Sequence, residues 1–279
     1  MLTFKKYSDV KLFKEETLTF LEKYQIENNL LLGVLCTLKS GEEAAVMATV
    51  KRDDELILVI LQTHPMQMIL SKPEPISDEE MEIIAEQFCH QMEDIPGLIG
   101  EKIFTSKLVE HISSLRDTHY YMHMDQRIYK LEHVKKEVSK DGTLRLIELS
   151  DLPLIKKWTY QFCEEVGDKI SEQEAEVKTV ELIERGMFHG WEVNGKLVSI
   201  ANATRPLKKN ITISFVFTPQ EYRKKGYASN CVAGLSQKML DQGYEMTSLY
   251  TDMANPTSNK IYMDIGYEPV MDSILFRKK

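Results

Sequence analysis

Between the apolar run Ile211–Phe217 and the helix-like stretch Ser229–Leu240 stand a Thr218-Pro219 break and then Arg223-Lys224-Lys225-Gly226-Tyr227-Ala228. These six residues fit the pattern Arg/Gln-x-x-Gly-x-Gly/Ala. A strand that empties through a small-residue loop into a helix start presents several backbone N–H groups in one direction. The helix dipole adds partial positive charge at the same point. A chain folded this way can hold a pyrophosphate without a P-loop, provided that a strand end leads straight into a helix N-terminus.

The rest of the composition sets bounds around that junction. At 279 residues the chain suits one large or two small domains. No apolar stretch approaches the roughly 20 residues that a membrane span requires. The start MLTFKKYSDV has no apolar core and no small-residue cleavage site, so it does not read as a signal peptide. A formal net charge of −8 argues against nucleic acid as a partner, because that binding is driven by Lys and Arg neutralising phosphates. Cys36, Cys89, Cys163 and Cys231 are scattered and form no Cys-x-x-Cys pair. They read as reduced, buried thiols of a cytoplasmic protein. His119, His123 and His133 do not have metal-ligand spacing, and no metal is expected.

The charged stretch His133–Asp141, followed by Gly142, is the best domain boundary, dividing residues 1–135 from 143–279. After it, Thr143–Leu149 reads as a strand, and Leu152–Glu165 and Ser171–Arg185 read as helices. Asp151-Leu152-Pro153 supplies an N-cap with Pro just inside, and Ser171-Glu172-Gln173-Glu174 a capping box. Phe188–Val193 and Lys196–Thr204 are strands joined by the hairpin signal Asn194-Gly195. Ile211–Phe217 is the next strand. The phosphate-loop candidate and its helix follow, then strand Thr247–Thr251, helix Asn255–Ile265 and strand Pro269–Phe276.

The N-terminal half reads in nearly the same order. Ser8–Asn28 is helical, and Leu30–Leu38, Ala44–Val50 and Glu55–Leu61 are strands, separated by Ser40-Gly41 and Arg52–Asp54. A helix at Ser77–Met92, opened by the capping-box-like Ser77-Asp78-Glu79-Glu80, precedes a short segment at Leu98–Gly100, a helix at Ser106–Leu115 and a strand at Tyr120–Leu131. The order implies a structural repeat whose sequence similarity has been lost. Where the C-terminal half has its glycine loop, this half has Thr63-His64-Pro65-Met66 and Ser71-Lys72-Pro73-Glu74-Pro75, with no glycine between Gly41 and Gly97. Proline lacks the N–H that an anion cradle needs, so this half is not expected to hold the same ligand in the same way. Met66, Met68, Met122 and Met124 alternate in strand-like stretches and read as core or pocket lining.

Residues 143–279 resemble the GNAT superfamily of acyl-CoA-dependent N-acyltransferases. The resemblance rests on three pieces in order: Val216 to Ala228; Leu249-Tyr250-Thr251-Asp252 leading to Ala254-Asn255-Pro256; and Ser258-Asn259-Lys260-Ile261-Tyr262 followed by Gly266-Tyr267-Glu268-Pro269. Many members carry Gly directly after the loop Arg, where this chain has Lys224. The resemblance implies an α+β fold: two GNAT-like three-layer α/β/α domains with mixed, mostly antiparallel sheets. The N-terminal domain would be degenerate and the C-terminal one would carry the acyl-CoA site.

Acetyl-CoA is then the implied co-substrate. Its pantetheine arm would pair with the exposed strand edge at Val216, Phe217 and Thr218. Lys224, Lys225, Gly226, Tyr227, Ala228 and Ser229 would offer N–H groups to the pyrophosphate, with Arg223 and the lysines adding positive charge. Asn255, a good N-cap before Pro256, would add a contact to the arm. Tyr262 follows about two helical turns later and would protonate the departing thiolate as a general acid. Glu164, Glu165, Asp168, Glu192 and His189 are all conceivable bases, and the sequence does not choose among them. The implied acceptor is a primary amine, on a small molecule or on a peptide or protein, in a chain compatible with a homodimer. The rival expectation is a non-catalytic acyl-CoA-binding sensor or scaffold.

Overall fold

The computed structural model describes residues 1–39 and 44–279; the turn expected at Ser40-Gly41 lies outside the described residues. The chain forms two compact units. The first comprises Met1–Tyr129 with Tyr250–Pro256 and Pro269–Lys279, the second Lys130–Leu249 with Thr257–Glu268.

Element order repeats along the chain. The first pass runs β1 (Leu2–Lys6), α1 (Val10–Lys23), α2 (Asn29–Thr37), β2 (Val46–Arg52), β3 (Glu55–His64), β4 (Gln67–Leu70), α3 (Asp78–Gln91), β5 (Gly97–Glu101), α4 (Lys102–Arg116) and β6 (Tyr120–Leu131). The second runs β7 (Thr143–Leu146), α5 (Leu152–Glu165), α6 (Glu172–Glu184), β8 (Phe188–Val193), β9 (Lys196–Thr204), β10 (Asn210–Phe217), α7 (Tyr227–Asp241), β11 (Met246–Asp252), α8 (Pro256–Ile265) and β12 (Glu268–Lys278). The two series match element for element. Two short 3-10 turns, Leu149–Asp151 and Gln220–Tyr222, are added in the second.

The match is closer than the sequence implies because Leu30–Leu38, expected as a strand, is helix α2. A short apolar run has no period that separates a buried strand from a buried helix. The burial pattern settles it: Asn29, Leu31, Leu32 and Leu35 are all buried, spaced as one helical face. The α1–α2 junction is pinned by Asn28, whose Nδ2 donates to the Leu21 carbonyl and whose Oδ1 accepts the Lys72 N–H at 2.7 Å. Strands β1 and β4 escape sequence reading because they are only a few residues long.

In the first unit the sheet order is β1-β2-β3-β4-β5-β12-β6. Neighbours are antiparallel from β1 to β4, β4 and β5 are parallel, and β5 takes β12 antiparallel. One face of this sheet packs Ala48, Val50, Leu58 and Ile60 against Ile84 and Phe88 of α3 and Leu108 and Ile112 of α4. On the other face Thr49 meets Tyr7, which packs on Phe13 of α1. The second unit repeats the plan as β11-β10-β9-β8-β7, again with one parallel pair, β10–β11. Its α5/α6 face is built from Ile155, Trp158, Leu182, Ile183, Phe188, Ile200 and Phe217. Its opposite face is covered by α7, where Trp191 approaches Gly234.

Several local expectations change. Asp151 does not cap α5; its carboxylate accepts the Glu148 N–H and pairs with Arg145, which closes the preceding 3-10 turn instead. Of the alternating methionines, Met68 is buried, while Met66 and Met122 are exposed. Cys163 and Cys231 are buried free thiols, but Cys36 is exposed. The boxes at Ser77/Glu80 and Ser171/Glu174 form as expected. No helix among the described residues is long and apolar enough to cross a membrane.

Tyr267 ties the second unit's core together. It is 2% exposed, and its hydroxyl bonds both Ser236 on α7 and Thr247 on β11 at 2.8 Å. Replacing it with Phe strands two buried hydroxyls. We expect Tyr267→Phe to lower unfolding free energy by about 1–3 kcal/mol, measured by chemical denaturation.

Candidate functional site

The site begins with a break in β10. This strand pairs with β11 only over Asn210–Thr212. Its register with β9 shifts between Ser214 and Phe217, so that two residues, Phe215 and Val216, stand opposite one, Ala201. Phe215 takes a left-handed backbone with φ 53°. For a bulky residue this conformation costs on the order of 1–3 kcal/mol and persists only where packing enforces it. The packing is aromatic: the Phe215 ring lies 4.1 Å from Phe162 and 5.6 Å from Phe188, centroid to centroid. The bulge also fixes which face Phe217 takes. One extra residue turns its ring to the α5/α6 side, against Trp158 and Phe162.

The exit of β10 is clamped. The Thr218 hydroxyl bonds Ser199 at 2.9 Å, and Ser199 also donates to the Phe217 carbonyl. Arg223 Nε donates to the Thr218 carbonyl at 2.8 Å, and its Nη2 reaches both carboxylate oxygens of Glu165 at 2.6 and 2.8 Å. Arg223 is thus a brace between loop and α5, and its charge is paired. Two residues of the loop, Lys224 (φ 61°) and Gly226 (φ 77°), are left-handed. Such alternation of backbone handedness turns successive N–H groups toward one side.

Helix α7 starts at Tyr227 with no side-chain cap on Gly226 and no acidic residue in its first turn. The N–H groups of Lys224 through Ser229 have no acceptor among the described residues. Gly226 itself is open: a Cβ placed on it meets no atom within 4 Å. Lys225 folds back to the Glu221 carbonyl, while Lys224 is exposed at the loop surface. The result is a positive, donor-rich cradle fit for a phosphate group.

The corresponding point of the first unit is built the opposite way. Helix α3 is closed by its own capping box, in which Ser77 Oγ accepts the Glu80 N–H and Glu80 accepts the Ser77 N–H. Its first turn carries Asp78, Glu79 and Glu80, and the Glu80 carboxylate is held by Arg52 at 2.6 Å and pulled below the usual range by that guanidinium. Self-capped N–H groups and three acids exclude an anion. At the seventh position of α4, where α8 has Tyr262, this unit has the buried Leu108.

Tyr262 is 8% exposed, with its ring edge-on to Tyr267 at 6.0 Å. Its hydroxyl has no hydrogen-bond partner among the described residues. Burial pushes its phenol well above the ordinary tyrosine range, so it stays protonated at neutral pH. Asn255 lies in the turn before α8, its N–H bonded to the Asp252 carbonyl, in the segment that groups with the first unit. β10, the Arg223–Ser229 loop and Tyr262 of α8 all belong to the second unit.

The carboxylates considered as bases are engaged. Glu164 accepts from Tyr160, Glu165 pairs with Arg223, Asp168 lies 3.6 Å from Lys178, and Glu192 pairs with Arg145. His189 is buried, with Nδ1 against the Met187 carbonyl. Burial pushes the Cys231 thiol of α7 up to about 12, which leaves no thiolate there at neutral pH. Sequence reasoning missed the bulge and the structural use of Glu165; neither has a local signal, since left-handed Phe and a partner 58 residues away are set by tertiary packing.

Residues 154–267, somewhat under half of the chain, match the model of the acetyltransferase (GNAT) family. No curated protein matches the sequence. Among solved structures, it is similar to an acetyltransferase of the GNAT family from Colwellia psychrerythraea, at 12% identity and TM-score 0.65, covering 99% of this chain and 100% of that one. A GCN5-related N-acetyltransferase from Sphaerobacter thermophilus follows at 13% identity and TM-score 0.62, covering 99% and 95%. A tandem GNAT protein from the clavulanic acid biosynthesis pathway matches at 11% identity and TM-score 0.57, covering 100% and 98%. These likenesses establish the fold: two GNAT-like α/β/α domains in one chain.

The loop yields a direct test. Gly226→Val should fold, because no protein atom opposes a side chain there, with a cost of roughly 1–2 kcal/mol for the left-handed backbone. Its affinity for coenzyme A should fall at least about tenfold, or about 1.4 kcal/mol, by calorimetry. Unchanged affinity in a folded variant would mean that the loop holds no phosphate.

Proposed function

We propose that the protein transfers an acetyl group from acetyl-CoA directly to a primary amine, on a small molecule or on a peptide or protein, using one site in residues 143–279. The observation that carries this reading is the row of N–H groups from Lys224 through Ser229 without acceptors, placed directly after a bulged strand that leaves its parallel neighbour. Lys224, Lys225, Gly226, Tyr227, Ala228 and Ser229 would hold the pyrophosphate. The backbone of Val216, Phe217 and Thr218 would pair with the pantetheine arm, and Asn255 would contact it. Residues 1–135 take no acyl-CoA, on the strength of the self-capped, acidic α3.

In the reaction the amine nitrogen bonds to the thioester carbon, the carbon–sulfur bond breaks, and the nitrogen loses one proton to solvent or an acceptor group. Tyr262 supplies a proton to the leaving sulfur and is reprotonated from solvent. Burial keeps the hydroxyl protonated at neutral pH, as a donor must be. Arg223 acts through the loop rather than on phosphate, since Glu165 takes its charge. No cysteine nucleophile is used. Holding both reactants together supplies much of the acceleration.

Tyr262→Phe keeps the ring and its packing on Tyr267. A general acid typically contributes about 10²–10⁴-fold, so kcat should fall within that range in an amine-panel acetylation assay, with acetyl-CoA affinity little changed. A kcat within a few-fold of the parent would take Tyr262 out of the chemistry. Absence of turnover with every amine, alongside tight coenzyme A binding, would favour an acyl-CoA sensor or scaffold instead.

A further inference from the structure

Asn202 lies on β9, 4% exposed, and its Oδ1 is buried with no hydrogen-bond partner among the described residues. A buried carbonyl oxygen without a donor is unfavourable, and that cost is recovered when a donor arrives. Its place is specific. The register sets Asn202 opposite Phe188 on one side and Ser214 on the other. Opposed residues of antiparallel strands share a face, so Asn202 is on the α5/α6 face that carries Phe188. Ser214 is the last residue before the Phe215–Val216 bulge.

The same face of the sheet carries an aromatic wall. Phe215, turned out of its normal alternation by the bulge, packs against Phe162 and Phe188, and Phe162 and Phe215 are only partly buried. Among the described residues one cation is found against these rings: Lys178 Nζ lies 5.9 Å from the Phe215 ring centre and 3.6 Å from the Asp168 carboxylate. An acceptor carrying a second positive charge would meet that ammonium. An acceptor with one amine and an apolar ring would meet aromatic surface and one waiting hydrogen-bond acceptor.

We infer that the acceptor is an arylalkyl primary amine, with its ring on Phe162 and Phe215 and its nitrogen donating to Asn202 Oδ1. The inference rests on the transferase reading above and names the substrate class of the same site. Asn202 positions the nitrogen beside the bulge; it is not the base, because a carboxamide takes no proton at neutral pH.

The test uses the full chain, saturated with coenzyme A, titrated with 2-phenylethylamine by calorimetry or ligand-observed NMR. We expect binding that weakens at least about tenfold in Asn202→Leu and stays within about threefold in Asn202→Asp, which keeps the acceptor oxygen. In turnover the Leu variant should raise KM for the amine and leave KM for acetyl-CoA unchanged. Spermidine on the unmodified chain should bind at least about tenfold more weakly than 2-phenylethylamine, a comparison that needs no variant to fold. Failure of 2-phenylethylamine to bind, equal binding by the Leu variant, or equal affinity for spermidine would each overturn the inference. A separate coenzyme A titration reads the transferase proposal. If that fails, the amine titration of the free chain still decides the seat by the same criteria.

Discussion

Everything at the candidate site depends on the one-residue bulge in β10. Without it, Phe217 would face α7 and leave the α5/α6 core. Upstream of it, the strand pairs with β11 over three residue pairs only, Asn210–Thr212. The bulge needs a left-handed Phe215, and Phe215 needs the rings of Phe162 and Phe188 to hold it there. Local strain and aromatic packing are thus two sides of one device. The packing contributes enough to offset the strain, and the bulge in turn sets which face the strand end presents.

The repeat shows how little of a fold is committed to one function. Both halves of the chain run the same ten elements in the same order with one parallel pair each. One difference between them lies at a single helix N-terminus. On α3, Ser77 and Glu80 satisfy the N–H groups from within, and the first turn is acidic. On α7 a left-handed glycine replaces the cap, and no acid follows. The first choice stabilises a helix by about 1 kcal/mol and closes it to anions. The second gives up that stabilisation and leaves the donors unpaired. Unpaired donors beside a dipole of the right sign are what a phosphate ligand requires.

Much of this was readable in the chain. The elements of the second half match their sequence spans closely, because caps, the Asn194-Gly195 hairpin and alternation all agree there. The glycine loop was readable because an αL residue before a helix start has a composition signal. What escaped reading shares one cause. Leu30–Leu38 is apolar throughout, so its period is invisible and only its burial against the sheet made it a helix. The bulge leaves no mark, since a left-handed Phe looks like any strand Phe until its neighbours are in place. The joining of Pro269–Lys279 to the first unit through β5 is long-range pairing, which local pattern does not encode. Glu165 was visible only as one of several acids, and its bond to Arg223 gave it a structural use.

Tyr262 and Tyr267 are separated by five positions and touch ring to ring, yet the structure uses them differently. The Tyr267 hydroxyl is saturated by Ser236 and Thr247, so its proton is committed to holding α7 against β11. The Tyr262 hydroxyl has no such partner among the described residues. Burial raises both phenols far above the ordinary tyrosine range, so neither ionises at neutral pH. For Tyr267 that matters only to packing. For Tyr262 it means that the hydroxyl assigned above as proton donor carries its proton at neutral pH, while the same burial makes it a weaker acid than a free phenol. Transfer from so weak an acid needs the charge that builds on an acceptor atom beside it to lower that pKa, and a hydroxyl already committed to two partners, as in Tyr267, is less free to respond.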